Sequence, residues 1–265
     1  KSGQILVSKL GEIWRWDGYV SKGKQNNSTK AILDQLKNRR IKQLSAEEKQ
    51  WNDISAKANQ RIENMIASGA DIIDVGGEST RPGSKIISKK NELKRVKEVI
   101  EKFKKSFPKT LLSIDTRKPL VMDFSIKYKV DIINDVSCFK FDPNSFEIIK
   151  NQDLWKIIHH MQGTPQTMQN NPSYDHVLLD IYDFFENEIK KFKKYKYHKK
   201  IILDPGIGFG KNLKHNLMIL NNISLFHSLG FPILIGTSRK RFINQISGKY
   251  DTKERIGGTL SSILF

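Results

Sequence analysis

The chain has one cysteine, Cys138, among 265 residues, so neither a disulfide framework nor a cysteine-rich metal centre can be built from it. It has no apolar run of the ~18 residues needed to span a bilayer, and no opening segment laid out like a signal peptide. Acidic residues are scarce beside basic ones, 28 against 46, for a formal charge of +18. Most of the excess is lysine and it is scattered, which suits a solvated surface better than a defined nucleic-acid footprint. No G-x-G-x-x-G follows a strand, and there is no Walker A sequence, H-E-x-x-H, nucleophile elbow or Ser-His-Asp order. These absences argue against dinucleotide binding and triad hydrolysis, and they leave a cytoplasmic protein acting on small molecules as the default.

A regular pattern is present from about Asn59 onward. Six short, β-branched apolar segments occupy residues 71–76, 110–115, 131–136, 156–161, 200–205 and 231–236. Consecutive apolar positions suit parallel strands covered on both faces, and the stretches between have room for crossover helices. Such repeated βα units build either a doubly wound sheet or a (β/α)₈ TIM barrel. Chemistry-bearing residues recur at the C-terminal ends of at least five segments, where a barrel gathers its site, and this favours the barrel. Its first strand would come from "QILVS" (4–8). The chain stops at "ERIGGTLSSILF", which reads as the helix after the seventh strand, so the eighth is expected to be missing. The first fifty residues read as polar and irregular. The expected division is therefore an atypical segment, 1–58, and a barrel domain, 59–265.

At the first of these strand ends, Glu78, Ser79, Thr80 and Arg81 precede Pro82-Gly83, and Arg81 offers a fork of donors to a phosphate. Asp115 ends the next strand, in "SIDTRKP", where a lone aspartate is costly unless paired or hydrogen-bonded. Asn134 and Asp135 end the one after. An asparagine among aspartates supplies donors and acceptors for a planar heterocycle, or an internal network tying strand ends together. His159 and His160 are adjacent on a strand, so they point to opposite faces, which argues against their sharing a metal. Met161 is a plausible slab against a flat ring. Asp204 precedes a Gly-rich turn in which Phe209 could stack and Lys211 could reach an anion. Ser238, Arg239 and Lys240 form a basic cluster at a helix start, a candidate anion site. Carboxylates and an amide on one side, cations on the other, suggest a ligand with a hydrogen-bonding ring and a phosphate.

The segments "GADIIDVGGESTRPGS", "SIDTRKP", "IINDVS", "HMQGTPQTMQNNPSYDHV", "ILDPGIGFGKNLKHNLMIL", "PILIGTSRKRFI" and "ERIGGT" follow in order over roughly residues 60–265 and resemble the dihydropteroate synthases. The resemblance implies a (β/α)₈ barrel, usually dimeric. It implies an enzyme that joins 6-hydroxymethyl-7,8-dihydropterin diphosphate to 4-aminobenzoate with Mg²⁺ assisting. By the same resemblance, Asp115, Asn134, Asp204, Lys240, Met161, Phe209 and Gly236 match the pterin pocket. Thr80 and Arg81 match a mobile loop at the aminobenzoate site, beside which Ser238 falls. Catalysis is expected of Asp115, Lys240 and Arg81, and no metal ligands are assigned.

Two family features have no counterpart in these 265 residues: the first-strand loop Asn-x-Thr-Pro-Asp-Ser-Phe-Ser-Asp and the eighth-strand Arg-x-His-Asp. Both serve the diphosphate end, so this chain is expected to keep pterin-site geometry with much reduced turnover. Residues 1–45, with "WRWDGY" at their core, resemble a short post-hinge stretch of SMC chromosome-segregation proteins; no ATP-binding motif accompanies them. Two other readings of the chain are a methyltetrahydrofolate-dependent methyltransferase on the same barrel and a basic protein binding nucleic acid through "EIKKFKKYKYHKK" (188–200). That run precedes a strand and so belongs at the barrel end opposite the site, where only weak, sequence-indifferent binding is expected.

Overall fold

The computed structural model describes residues 5–7, 13–15, 20–21, 27–248 and 251–264. The chain divides into two compact units, residues 1–61 and 62–265. In the first, β1 (Ile5–Val7), β2 (Ile13–Arg15) and β3 (Val20–Ser21) form an antiparallel sheet in the order β1-β2-β3. The expected first barrel strand at 4–8 is therefore corrected: Ile5–Val7 pairs with Ile13–Arg15 and with no barrel strand. The closeness of the two segments in sequence makes a local antiparallel ladder easier to close than a distant parallel one.

The expectation of an irregular start also fails. Residues 27–67 form one long helix, α1 (Asn27–Ala67). It contains neither glycine nor proline and is rich in Lys, Gln, Glu, Ala and Leu, all good helix formers. Its apolar residues are sparse, so the periodic signal on which sequence reading relies is faint.

The second unit carries β4 (Ile72–Gly76), α2 (Lys89–Ser106), β5 (Leu111–Asp115), α3 (Pro119–Lys127), β6 (Ile132–Asp135), α4 (Pro143–Ile149), β7 (Trp155–His159), α5 (Val177–Phe192) and β8 (Ile201–Asp204). The five strands pair in parallel and in strict sequence order, β4-β5-β6-β7-β8. That order never reverses, as it would at the switch point of a doubly wound sheet, and it is the arrangement of barrel staves. The seventh expected strand, 231–236, shortens to a single parallel bridge between Leu203 and Ile233. Leu203 N–H donates to Pro232 O at 2.9 Å and Leu234 N–H to Leu203 O at 2.8 Å. Pro232 has no N–H to extend that ladder.

Beyond β8 lie α6 (Leu213–Asn221), α7 (Ser224–His227), α8 (Arg241–Ser247), a 3-10 turn at Lys253–Arg255, and α9 (Ile256–Leu264). The last crossover segment, 216–230, breaks at Asn222–Ile223 into α6 and α7.

Register sorts the strand side chains into two faces. Ile73, Leu112, Ile114, Ile133, Ile158 and Leu203 are buried on one face. Asp74, Ser113, Asp115, Asn134 and Asp204 fall on the other, together with Ile132, Trp155, Ile157 and Ile202 and with Ile72 and Leu111, which are 42% and 38% exposed. The apolar face is covered by helices such as α5, which buries Val177, Ile181, Phe185, Ile189 and Phe192 at helical spacing. The polar face is left for the site. Among the described residues no helix is long and apolar enough to cross a membrane.

Candidate functional site

Register brings polar groups together at the strand ends. Asp74 pairs with Ser113, Gly76 with Asp115, Asp115 with Asn134, and His159 with Asp204. Paired positions on parallel strands share a face, so these side chains converge on one surface. Asn134 donates from Nδ2 to Asp74 Oδ2 at 3.4 Å. Asn134 Oδ1, by contrast, is buried with no hydrogen-bond partner among the described residues, while the buried Ser113 hydroxyl faces the Asp74 carboxyl and pulls its pKa down against the effect of burial. Orphaned buried polar atoms are costly unless a ligand or water completes them.

The carboxylates here are crowded. Burial pushes the Asp115 carboxyl well above its usual range, and Asp74, Asp135 and Glu92 push it the same way against the opposing pull of Arg117. Asp74 is open to solvent on its free side, yet most of its surroundings are protein, and this desolvation raises it too. Asp135 points to the other face and caps the turn after β6, accepting from Ser137 N at 2.7 Å and Phe139 N at 3.1 Å. Burial lifts it to about 6 despite those bonds.

Asp204 Oδ1 accepts from Gly206 N at 2.8 Å, and Oδ2 lies 3.9 Å from His159 Nε2. Gly206 is required here: its φ is +69°, and an added Cβ would sit 1.9 Å from His160 O. The His159 ring stands edge-on to Phe209 with centroids 4.5 Å apart, and its Nδ1 faces Val136 O at 3.2 Å. Burial lowers its pKa to about 4, leaving a neutral imidazole. Lys240 Nζ lies 4.6 Å from the centre of the Phe209 ring, donates to Ile207 O, and would be 3.5 Å from a Cβ placed on Gly236. Burial lowers the Lys240 pKa, against the pull of Asp204. Thus Asp115, Asn134, Asp204, Phe209, Gly236 and Lys240 belong to one cluster. Lys240 lies against Phe209 and Gly236, away from the exposed Ser238 and Arg239 with which residue type alone had grouped it.

The remaining expected residues are peripheral. Arg81 and Ser238 are exposed, Thr80 is half-buried, and Met161 is half-buried two residues past the end of β7. The loop bearing Thr80 and Arg81 meets the loop after β7, where Gln166 Nε2 donates to Ser84 O at 3.2 Å. The turn bearing Ser238, Arg239 and Lys240 is braced from behind. Arg239 N donates to Thr259 Oγ1 at 2.9 Å, and Arg255 to Arg239 O at 3.1 Å. This gives "ERIGGT" a physical role that sequence alone had not supplied.

Lys211 is corrected. It does not reach outward for an anion: its ammonium is buried 3.0 Å from both His160 Nδ1 and Phe209 O. Burial brings its pKa down to about 7. The cations of "DTRKP" are also internal. Arg117 pairs with Glu78 at 2.7 Å, and Lys118 bridges Glu78 at 2.9 Å and Glu92 at 2.5 Å. Thr116 Oγ1 donates to Glu92 as well, at 2.5 Å. This network fastens the root of the "ESTRPG" loop to α2 and to the end of β5. Asp74 and Ser113 were missed as pocket residues, although the period-2 alternation of "DIIDVG" and "LLSID" places them on the face of Gly76 and Asp115.

A barrel-type sheet with ring-sized hydrogen-bonding groups, an aromatic ring and a lysine at its strand ends defines a heterocycle-binding α/β enzyme. Residues 44–264 match the family of pterin binding enzymes. The chain is 41% identical over 198 residues to the dihydropteroate synthase of Escherichia coli K12, covering 74% of this chain and 69% of that protein. It is 36% identical over 211 residues to the dihydropteroate synthase of Synechocystis, covering 79% and 72%. Among solved structures, the Yersinia pestis dihydropteroate synthase in complex with a sulfonamide drug superposes with a TM-score of 0.74 at 36% identity, covering 77% and 74%. The Thermus thermophilus dihydropteroate synthase in complex with 4-aminobenzoate does so with a TM-score of 0.71 at 33% identity, covering 77% of each chain. The chain belongs to the dihydropteroate synthase family.

Proposed function

We propose that the chain is a dihydropteroate synthase, which joins 6-hydroxymethyl-7,8-dihydropterin diphosphate to 4-aminobenzoate in folate biosynthesis. The observation that carries this reading is the buried acceptor Asn134 Oδ1, without a partner among the described residues, set beside Asp115 and Asp204 on one strand-end face of a chain in this family. Asp204 accepts from the pterin amino and ring N–H groups, and Asn134 and Asp115 serve the far edge of the ring. Met161 and Phe209 flank it, with Gly236 leaving room. Lys240 is placed to serve the ring carbonyl and nearby anionic groups. The bond from the methylene carbon to the diphosphate oxygen breaks, diphosphate leaves, and cationic character at that carbon is met by the arylamine. The amine then loses a proton. Thr80, Arg81 and Ser238 form the aminobenzoate side, and Arg81, Asp115 and Lys240 carry the catalytic work.

The family implies Mg²⁺, an ion commonly held by one or two carboxylates together with substrate phosphates. Among the described residues no group of three His, Cys, Asp or Glu side chains is placed to hold a metal ion. We further propose a cytoplasmic homodimer whose pterin-binding domain is residues 59–265. The lysine-rich run 188–200 lies at the end of α5 and before β8, at the strand end opposite the site, and it receives no role toward a defined oligonucleotide.

The test is a coupled assay of the purified chain with Mg²⁺, pterin diphosphate and 4-aminobenzoate, together with titrations of pterin diphosphate and methyltetrahydrofolate. Formation of dihydropteroate and preference for the pterin diphosphate support the assignment. Preference for methyltetrahydrofolate would overturn it in favour of a methyltransferase.

A further inference from the structure

We propose that Asp74, hidden inside a strand motif, is a positioning residue of this pocket: it fixes the orientation of the Asn134 amide and sets the charge that Asp115 meets. The inference rests on the pterin reading above. An ionised carboxylate can only accept hydrogen bonds, so the amide beside it must present its NH₂ group. Asn134 does so, at 3.4 Å from Asp74 Oδ2, and its Oδ1 is thereby left buried, with no partner among the described residues, as an acceptor for a ligand. With Asp74 removed, nothing described here would stop the amide from turning over, which would exchange acceptor for donor where the ring must bind.

The second effect is electrostatic. Asp115 faces Asp74 from β4, Asp135 from β6, Glu92 from α2 and Arg117 from its own following loop, and only the arginine favours its ionised form. Asp74 in turn faces Asp204 on β8, a further like charge, as well as the Asn134 amide. Asp74 is thus one of the groups that hold Asp115 protonated to higher pH than usual. Its own solvent access lets a variant take up water in place of the carboxylate, so the fold need not be lost.

Two substitutions separate the two effects. Asp74→Asn removes the charge but keeps an acceptor, whereas Asp74→Ala removes both. Pterin diphosphate affinity is measured by calorimetry between about pH 5 and pH 8, with thermal melts confirming folding. In Asp74→Asn, the pH below which affinity falls should move down by about half a unit or more, because Asp115 ionises more readily. Its affinity on the alkaline plateau should stay within about threefold of wild type. Asp74→Ala should show the same shift and also lose about tenfold on the plateau. Wild-type plateau affinity in Asp74→Ala, or an unmoved acid limb in Asp74→Asn, would overturn the inference. A wild-type chain that does not bind the probe would overturn the pterin reading and the inference together. Should Asp74→Ala fail to fold, Asp74→Ser removes the same charge and shortens the side chain, and the same two readouts apply.

Discussion

Two clusters of charge flank the end of β5, and they are built on opposite principles. On one side Glu78, Glu92, Arg117 and Lys118 are buried and satisfy one another through three ion pairs of 2.5–2.9 Å. On the other side, beside Asp115, Asn134 donates a long hydrogen bond to Asp74, and its buried Oδ1 has no partner among the described residues. The first cluster is complete without a ligand. The second is not, and its acids have raised pKa values, first through burial and then through the like charges around them. Residue type alone would have called both clusters functional. What separates them is whether the buried polar groups already have partners, and that depends on how helix α2 and the loops pack.

The sharpest way to break the contrast is to remove a partner from the complete cluster. Lys118→Met leaves Glu78 and Glu92 buried beside one another with only Arg117 to compensate. Breaking a buried pair in this way should cost ~3–5 kcal/mol. For a domain of this size that lowers the melting temperature by on the order of 10 °C. Calorimetric melting checks it, and an unchanged transition would mean the network holds the loop root weakly.

Sequence showed the barrel-type sheet of the second unit and which polar residues end its strands. The strand-end residues Asp115, Asn134 and Asp204 were readable because each follows a β-branched apolar run and stands out as a poor core residue. The first unit was not readable. Ile5–Val7 is as apolar as any barrel strand, and only pairing reveals that it serves an antiparallel sheet. Helix α1 has too few apolar positions to announce its period. Lys211 was misleading because a cation near a strand end reads the same whether it faces a ligand or a buried carbonyl. Burial decides, and it comes from the loops around His160.

Protonation gives a gentler probe of the same contrast. Burial and the nearby Lys211 depress the His160 pKa, so the folded chain keeps this ring neutral while the unfolded chain protonates it near pH 6.5. Its contribution to stability is therefore present above about pH 6.5 and lost as pH falls through that value. His160→Gln can still accept from Lys211 and does not titrate. Any stability advantage of wild type over this variant should shrink as pH falls from 7 to about 5. Urea unfolding at several pH values checks it, and a difference independent of pH would place the His160 ring in ordinary solvent.

Glu78 acts in the same direction at lower pH. Burial works to raise its pKa, but hydrogen bonds from Arg117, Lys118 and the Ile87 N–H outweigh it and hold the carboxyl below its usual range. Its support is present above its ordinary value of 4.5 and lost as pH falls through the lower native one.

The smallest expected effect is at the far end of β7. Lys156 is buried with Gln152 O, at 2.6 Å, as its hydrogen-bond partner among the described residues, and burial lowers its pKa to about 8. A lysine with a depressed pKa favours folding more as pH rises from about 8 toward 10.5. Lys156→Met should abolish that rise and stabilise the chain at neutral pH by ~1 kcal/mol, after allowance for water reaching the ammonium. Parallel denaturation curves at neutral and alkaline pH measure it. A destabilised variant would show that the Gln152 contact outweighs the cost of burial.

The central claim is that the incomplete cluster is completed by a pterin ring, and Asp204→Asn tests it most directly. The substitution keeps size and shape but turns one acceptor into a donor that would face the ring's own donors. Calorimetric titration of 6-hydroxymethyl-7,8-dihydropterin diphosphate into wild type should show one site per chain. The variant, folded by its melting transition, should bind more weakly by ~2–5 kcal/mol. Equal affinity in a folded variant would contradict the claim and place the ring elsewhere.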